Sequence, residues 1–183
     1  MPAYNSVFNG NENSRLMCGI PQLPFKTNKI PNLDPSQLKS LKDSDLDIVD
    51  ESLMYFRANV FFKNFPLKGD ADKVLVYTTV FIQKCLEVIA SDSDVSKAKN
   101  NLRNLIENAE YNPNLKGHFF NSLVTVNNSE VSELQNYLKS IRKEVVNRLQ
   151  YLLYDALWGS IDLKFWLAFG KKKFMGYEMP CKK

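Results

Sequence analysis

The stretch from Ala71 to Ala90 reads ADKVLVYTTVFIQKCLEVIA and carries two apolar stripes at helical spacing. Leu75, Thr78, Ile82, Leu86 and Ile89 form one; Val74, Tyr77, Phe81, Cys85 and Val88 form the other. Steps of three and four residues place each set on one helix face, and two such faces leave little circumference for water. The valines and threonines at 74–80 also suit a strand, but the unbroken length of the stretch favours a helix. Such a helix belongs at the centre of a fold, with Asp70 as its N-cap. The chain's 183 residues suffice for cover, because a domain of this size buries about 70% of the surface its unfolded chain exposes.

Four further segments have the periodicity to surround it. A helix is predicted from Leu46 to Asn64, with Ser44 as cap, Asp47 three residues on, and the stripe Val49, Leu53, Phe56, Val60. Pro66 and Gly69 are expected to stop it. A surface helix is predicted from Asp94 to Ala109, with Val95, Ala98, Leu102, Leu105 and Ala109 inward. A long one runs from Glu130 to Tyr154 behind Ser129, on Val131, Leu134, Leu138, Ile141, Val145 and Leu152; its stripe breaks at Arg148 and Leu149. The last covers Asp162 to Phe174, capped by Ser160. HFFNSLVTV, residues 118–126, reads as a short extended piece or a buried loop. Prolines 2, 21, 24, 31 and 35 keep the start irregular, yet Leu16, Met17, Ile20, Leu23, Phe25 and Ile30 are too apolar for a free tail. That arm is expected to lie across the body or across a partner. The prediction is an all-α, single-domain bundle of about five helices with one central, mostly buried helix. A Pro-rich arm spans 1–44 and a helical body 45–183.

Reactive groups are sparse. His118 is the only histidine, and one imidazole without a partner is read as structural. The seven glycines spell neither GxGxxG nor a P-loop. SDSD at 91–94 lacks the glycine and final acid of a calcium loop and reads as a helix cap. Cys18, Cys85 and Cys181 are odd in number and far apart, which suggests neither a zinc site nor a redox pair. Cys85 falls in an apolar stripe and is read as a small hydrophobe. No catalytic residue, cofactor or metal is assigned. No charged start followed by an apolar run opens the chain, and no apolar run approaches the roughly 18 residues of a bilayer span, so a soluble cytosolic protein is expected.

Two features leave room for partners. Ser160 to Lys183 holds six lysines against two acids, while residues 1–159 hold 18 basic and 18 acidic residues. A basic end can dock an acidic partner, although lysine runs are commonly plain solvated surface. FRANVFFKNF, residues 56–65, holds four phenylalanines. Phe56 continues a helix stripe and is assigned to the core. Phe61, Phe62 and Phe65 cannot share that face, and for them core and protein interface both stay open.

The same region carries a resemblance. DIVDESLMYFRANVFFKNF (47–65) and ADKVLVY (71–77) resemble the signature of subunit 3, the small p21-type subunit, of the actin-related protein 2/3 complex. MPAYNS at the start, LPF at 23–25 and LKFWLAFGKKKFM at 163–175 are similar to that family's ends. VSELQNYLKSIRKEVVNRL (131–149) matches its long helix in pattern. PNLDPSQLKSLKDS (31–44) is longer, and NPNLKGHFFN (112–121) poorer in proline, than the family's usual loops.

The resemblance implies an all-helical, non-enzymatic subunit beside an actin-related protein in a seven-subunit assembly. That assembly nucleates a daughter actin filament from the side of an existing one, in the cytoplasm and at the actin cytoskeleton, and ATP is held by the actin-related subunits. On that reading Lys171, Lys172 and Lys173 meet an acidic actin-type surface, and Phe61, Phe62 and Phe65 are aromatic anchors. Two rivals stand beside it. One is a basic helical nucleic-acid-binding module, which the balanced charge of residues 1–159 disfavours. The other is a helical enzyme with carboxylates at Asp43, Asp47 and Glu51, residues that also suit the positive end of a helix.

Overall fold

The computed structural model describes residues 3–10, 13–31, 46–155 and 163–181. Among them are five α-helices: α1 (Ile48–Asn59), α2 (Ala71–Ser91), α3 (Val95–Asn108), α4 (Val131–Gln150) and α5 (Leu163–Gly170). A two-residue hairpin in the arm, β1 (Leu16–Met17) with β2 (Ile20–Pro21), is the sheet among the described residues. The fold is therefore mostly helical, as the periodicity predicts.

The doubly striped helix α2 is central. It packs against α1, α3, α4 and α5, against β2, and against a 3-10 turn at Phe174–Gly176. Val74 through Gln83 are all buried, so this part of the helix has no solvent face. By length and composition α2 could cross a bilayer, which corrects the expectation that no apolar run approaches that length; here its neighbours cover it. Its polar side chains find partners inside. The Thr78 and Thr79 hydroxyls donate back to carbonyls of their own helix, and Thr78 also shares a 2.6 Å hydrogen bond with Ser52 of α1. The Gln83 amide oxygen accepts from the Phe174 N–H at 2.9 Å.

Element ends depart from the prediction, at several points because residues distant in sequence take up the terminal groups. Asp47 itself caps α1, accepting from the Val49 and Asp50 N–H groups at 3.0 Å, while Ser44 lies outside the described residues. α1 ends at Asn59 rather than Asn64. There the Asn59 amide exchanges hydrogen bonds with the Tyr4 backbone, and the Phe62 N–H turns back to the Asn59 carbonyl at 2.9 Å. Ser129 does not cap α4. Glu130 stands at that position with its carboxylate on the Cys18 N–H, and α4 gives way to a π-helical turn, Tyr151–Asp155. α5 stops at Gly170 rather than Phe174, and Ser160 and Asp162 lie outside the described residues. Val95, expected inward on α3, is 48% exposed. Residues 119–122 form a 3-10 turn that buries Phe119 and Phe120.

The arm lies across the body. Cys18 and Gly19 form the hairpin turn with φ of 52° and 76°, the left-handed pair of a type I′ turn. Met17, Ile20 and Leu23 are buried beneath it, while Leu16 and Ile30 stay exposed. Much of its backbone bonds to buried carboxylates. Glu51 accepts from the Ser6 hydroxyl and the Val7 N–H, both at 2.7 Å, and Asp72 from the Ser6 N–H at 2.7 Å. Farther along, Asp47 accepts from the Lys26 N–H at 2.9 Å, and Glu144 from the N–H groups of Asn28 and Lys29.

Arg148 joins these groups. It interrupts the α4 stripe, is fully buried, and donates to Asp47, Asp50, Glu144 and the Lys26 carbonyl at 2.6–2.8 Å. Burial works against the Asp47 charge, but the Arg148 and Lys26 hydrogen bonds hold its carboxyl below the ordinary value of 3.8. Arg142, also buried, donates to the Tyr77 hydroxyl of α2 and to the Ile106 carbonyl near the C-terminus of α3. A cation is favoured at that end of a helix.

Arg148→Ala leaves Asp47 without its cation and Asp50 with Lys29 alone, and is expected to cost about 3–5 kcal/mol in urea unfolding. It should also speed proteolysis within residues 20–31. Burial raises the Glu51 carboxyl from 4.5 to about 7, with Asp72 adding to the effect. The native state therefore holds this proton more tightly, so the Glu51 contribution is largest below pH 4.5 and shrinks as the pH rises to about 7. Glu51→Gln should remove that slope, a relative change on the order of 2 kcal/mol in denaturant titrations across the window. Gly170 sits where α5 meets α2, and an added Cβ would lie 2.9 Å from Leu86 Cβ. Gly170→Ala is expected to cost about 1–3 kcal/mol through overpacking, read as a lower Tm.

Candidate partner-binding face

The end of α1 and the end of α5 meet on one side of the bundle. Phe56 turns inward, where it is fully buried and stacks on Trp166 with centroids 6.0 Å apart and planes 4° from parallel. Arg57, the next residue, is exposed on the last turn of α1. Its guanidinium carbon lies 5.6 Å from the centroid of Phe165 and 5.8 Å from that of Trp166. Phe165 meets Phe169 edge to face at 4.9 Å, and Phe169 meets Phe61 in the same way at 5.7 Å. Lys172 closes the series with its ammonium 5.7 Å from the Phe61 centroid. The result is a continuous strip: Arg57, Phe165, Phe169, Phe61, Lys172.

The two segments are fixed to each other. The Met175 N–H donates to the Phe62 carbonyl at 2.8 Å, which satisfies the backbone where α1 has ended. Met175 adopts a φ of 54°, and the Phe174 N–H is taken by Gln83 of α2. These bonds turn the chain away from the helical path after Gly170. Lys171, Lys172 and Lys173 therefore lie in the turn that follows α5, which corrects their expected place on the helix itself.

The residues singled out from sequence divide on this face. Phe61 is 52% exposed and touches Lys172 directly. Lys171 is exposed beside it, and Lys173 is exposed and paired with Glu178. Phe62 is half-buried and packs edge to face on Phe65. Phe65 is only 3% exposed and abuts Phe174, so the chain itself covers this ring. Arg57 and Phe165, the latter 47% exposed, were not singled out from sequence. The available signal was an arginine one residue past an inward phenylalanine, with KFWLAF at helical spacing to meet it.

The rival carboxylates have structural partners. Asp47 serves Arg148, Lys26 and its own helix, Glu51 serves the arm, and Asp43 lies outside the described residues. His118 is 2% exposed and accepts the Phe120 N–H on Nδ1, and burial pulls its pKa down to about 4. A neutral imidazole there closes the turn at Phe119–Ser122.

Comparison with known proteins extends this picture to the whole chain. The model of the family described as P21-Arc, the ARP2/3 complex ARPC3 (21 kDa) subunit, matches residues 1–179. Among its relatives is the actin-related protein 2/3 complex subunit 3 of Arabidopsis thaliana, 37% identical over 176 residues, covering 94% of this chain and 96% of the plant protein. The protein of the same name in Saccharomyces cerevisiae is 34% identical over 98% of this chain and all of its own length. The one in Schizosaccharomyces pombe is 33% identical over 96% and 98% of the two chains. With the family model and these relatives matching over nearly the whole chain, it belongs to the P21-Arc family of ARP2/3 complex subunit 3 proteins.

Proposed function

We propose that this chain is a non-catalytic structural subunit of an actin-related protein 2/3 complex. In this role it scaffolds the actin-related subunits and so supports nucleation of branched actin filaments. Its partners are the actin-related proteins and the other members of a seven-subunit assembly, with the actin filament as a further contact. It works in the cytoplasm, at the actin cytoskeleton. The observation that carries this reading is the family match over residues 1–179. The fold is compatible with it: α2 is surrounded by the other helices and buried carboxylates tie the arm down on the body.

Docking uses the face where α1 and α5 end. Lys171, Lys172 and Lys173 meet an acidic actin-type surface, and Phe61 and Phe62 supply apolar contact at its edge. Phe65 supports them from below, through Phe62 and Phe174. Arms and body act together as one domain, residues 1–183.

Charge steering raises association rates, and salt screens it. Replacing Lys171, Lys172 and Lys173 together with Ala or Glu is therefore expected to slow incorporation into the complex on the order of tenfold at low salt, and much less at high salt. Stopped-flow or surface-capture kinetics across a salt series measure this. An unchanged salt slope would remove the lysines from the docking mechanism.

A further inference from the structure

Resting on that reading, we infer that the strip from Arg57 to Lys172 receives a partner segment presenting one apolar side chain between two carboxylates. Cations stand at both ends of the strip, and rings lie between them. Neither Arg57 nor Lys172 has a carboxylate partner among the described residues. Some other cations on this molecule do, as in Arg15 with Glu133, Lys84 with Glu87 and Lys139 with Glu107; among the described cations without one, Arg57 and Lys172 are those that lie over an exposed phenylalanine. The missing counter-charge at both ends of one aromatic strip is what calls for an acidic partner.

Arg57 is already positioned for it. One side of its guanidinium rests on Phe165 and Trp166, which limits the side chain's freedom before any partner arrives. Its N–H edge is left to take a carboxylate in two-pronged fashion, a geometry that lysine cannot copy. Between the cations, Phe61 and Phe165 leave about half their surface in water, at 52% and 47% exposure. Aromatic rings beside arginine are the residue types that carry most energy at protein interfaces. A nucleic acid fits less well. Bases need open ring faces for stacking, and here a cation lies over each exposed ring while Phe169 abuts both.

The test uses the full-length tagged chain co-expressed with the remaining subunits of its own complex. Arg57→Ala combined with Phe165→Ala changes two side chains outside the core, so the purified chain should still unfold cooperatively, at a Tm only slightly lowered. Recovery of the actin-related subunits in a titration should weaken about tenfold or more. Arg57→Lys should recover only part of the loss. Zero-length carbodiimide coupling on the wild-type complex should join the Lys172 ammonium to an Asp or Glu of a partner subunit, identified by mass spectrometry. Undiminished assembly of the double variant overturns the inference and leaves the subunit role intact. So does coupling of Lys172 only to carboxylates of its own chain. A wild-type chain that recovers no actin-related subunit overturns the subunit role itself. Retention of the wild type on single-stranded DNA at physiological salt, lost in the double variant while assembly is kept, overturns the inference in favour of nucleic acid.

Discussion

A helix buried all round from Val74 to Gln83 has to be covered there from every direction, and α2 makes that demand on the rest of the chain. Four helices, a hairpin strand and the C-terminal turn answer it. The demand also fixes how close each may come. Gly170 lets α5 approach until its backbone nearly meets Leu86, a distance that any side chain would forbid. The hydroxyls of Thr78 and Thr79 are tolerated in this interior because each returns to a carbonyl of the same helix. The core is thus set by one element and closed by the others.

Apolar cover alone would leave the arm's backbone unsatisfied. It has little regular structure, so its N–H groups need acceptors from elsewhere. Carboxylates on the helices supply them: Glu51 and Asp72 for residues 6 and 7, Asp47 and Glu144 for residues 26 to 29. These acids are costly to bury, and Arg148 offsets the cost at two of them, Asp47 and Glu144, while also meeting Asp50. The two clusters differ in character. The Arg148 cluster is charge-balanced in part and keeps Asp47 ionised, whereas Glu51 has no cation at hand among the described residues and holds its proton longer. One arm is therefore fastened at two places that respond to pH in opposite directions.

Periodicity made the helical part legible. The stripe Val49, Leu53, Phe56, Val60 is buried throughout; of the long helix's stripe Leu134, Leu138, Ile141, Val145 and Leu152 are buried and Val131 is half-buried; and the two stripes of Ala71 to Ala90 foretold a surrounded helix. Helix ends were less legible because distant residues set them: Tyr4 at Asn59, Met175 at Phe62, Gln83 at Phe174. Arg148 looked like a break in a stripe, since a single sequence does not say which acids await an inward cation. On the candidate face, Phe61 and Lys172 stood out by type, but their contact did not, and Arg57 and Phe165 gained meaning only when α1 and α5 were brought side by side. Phe65 shows the limit from the other direction. A ring next to a lysine and an asparagine in FFKNF proved to lie beneath the surface.

The aromatic strip draws Arg57 and Phe61 from the first third of the chain and Phe165, Phe169 and Lys172 from its end. No local segment contains it. During synthesis the first half emerges long before the second exists, and the early half shows only a lone arginine and one half-covered ring. The surface comes into being when the last helix seats against α2 and Met175 takes the Phe62 carbonyl. A chain cut short before α5 therefore lacks the strip altogether; on the docking role proposed above, joining a larger assembly would double as an inspection of whether this chain was finished.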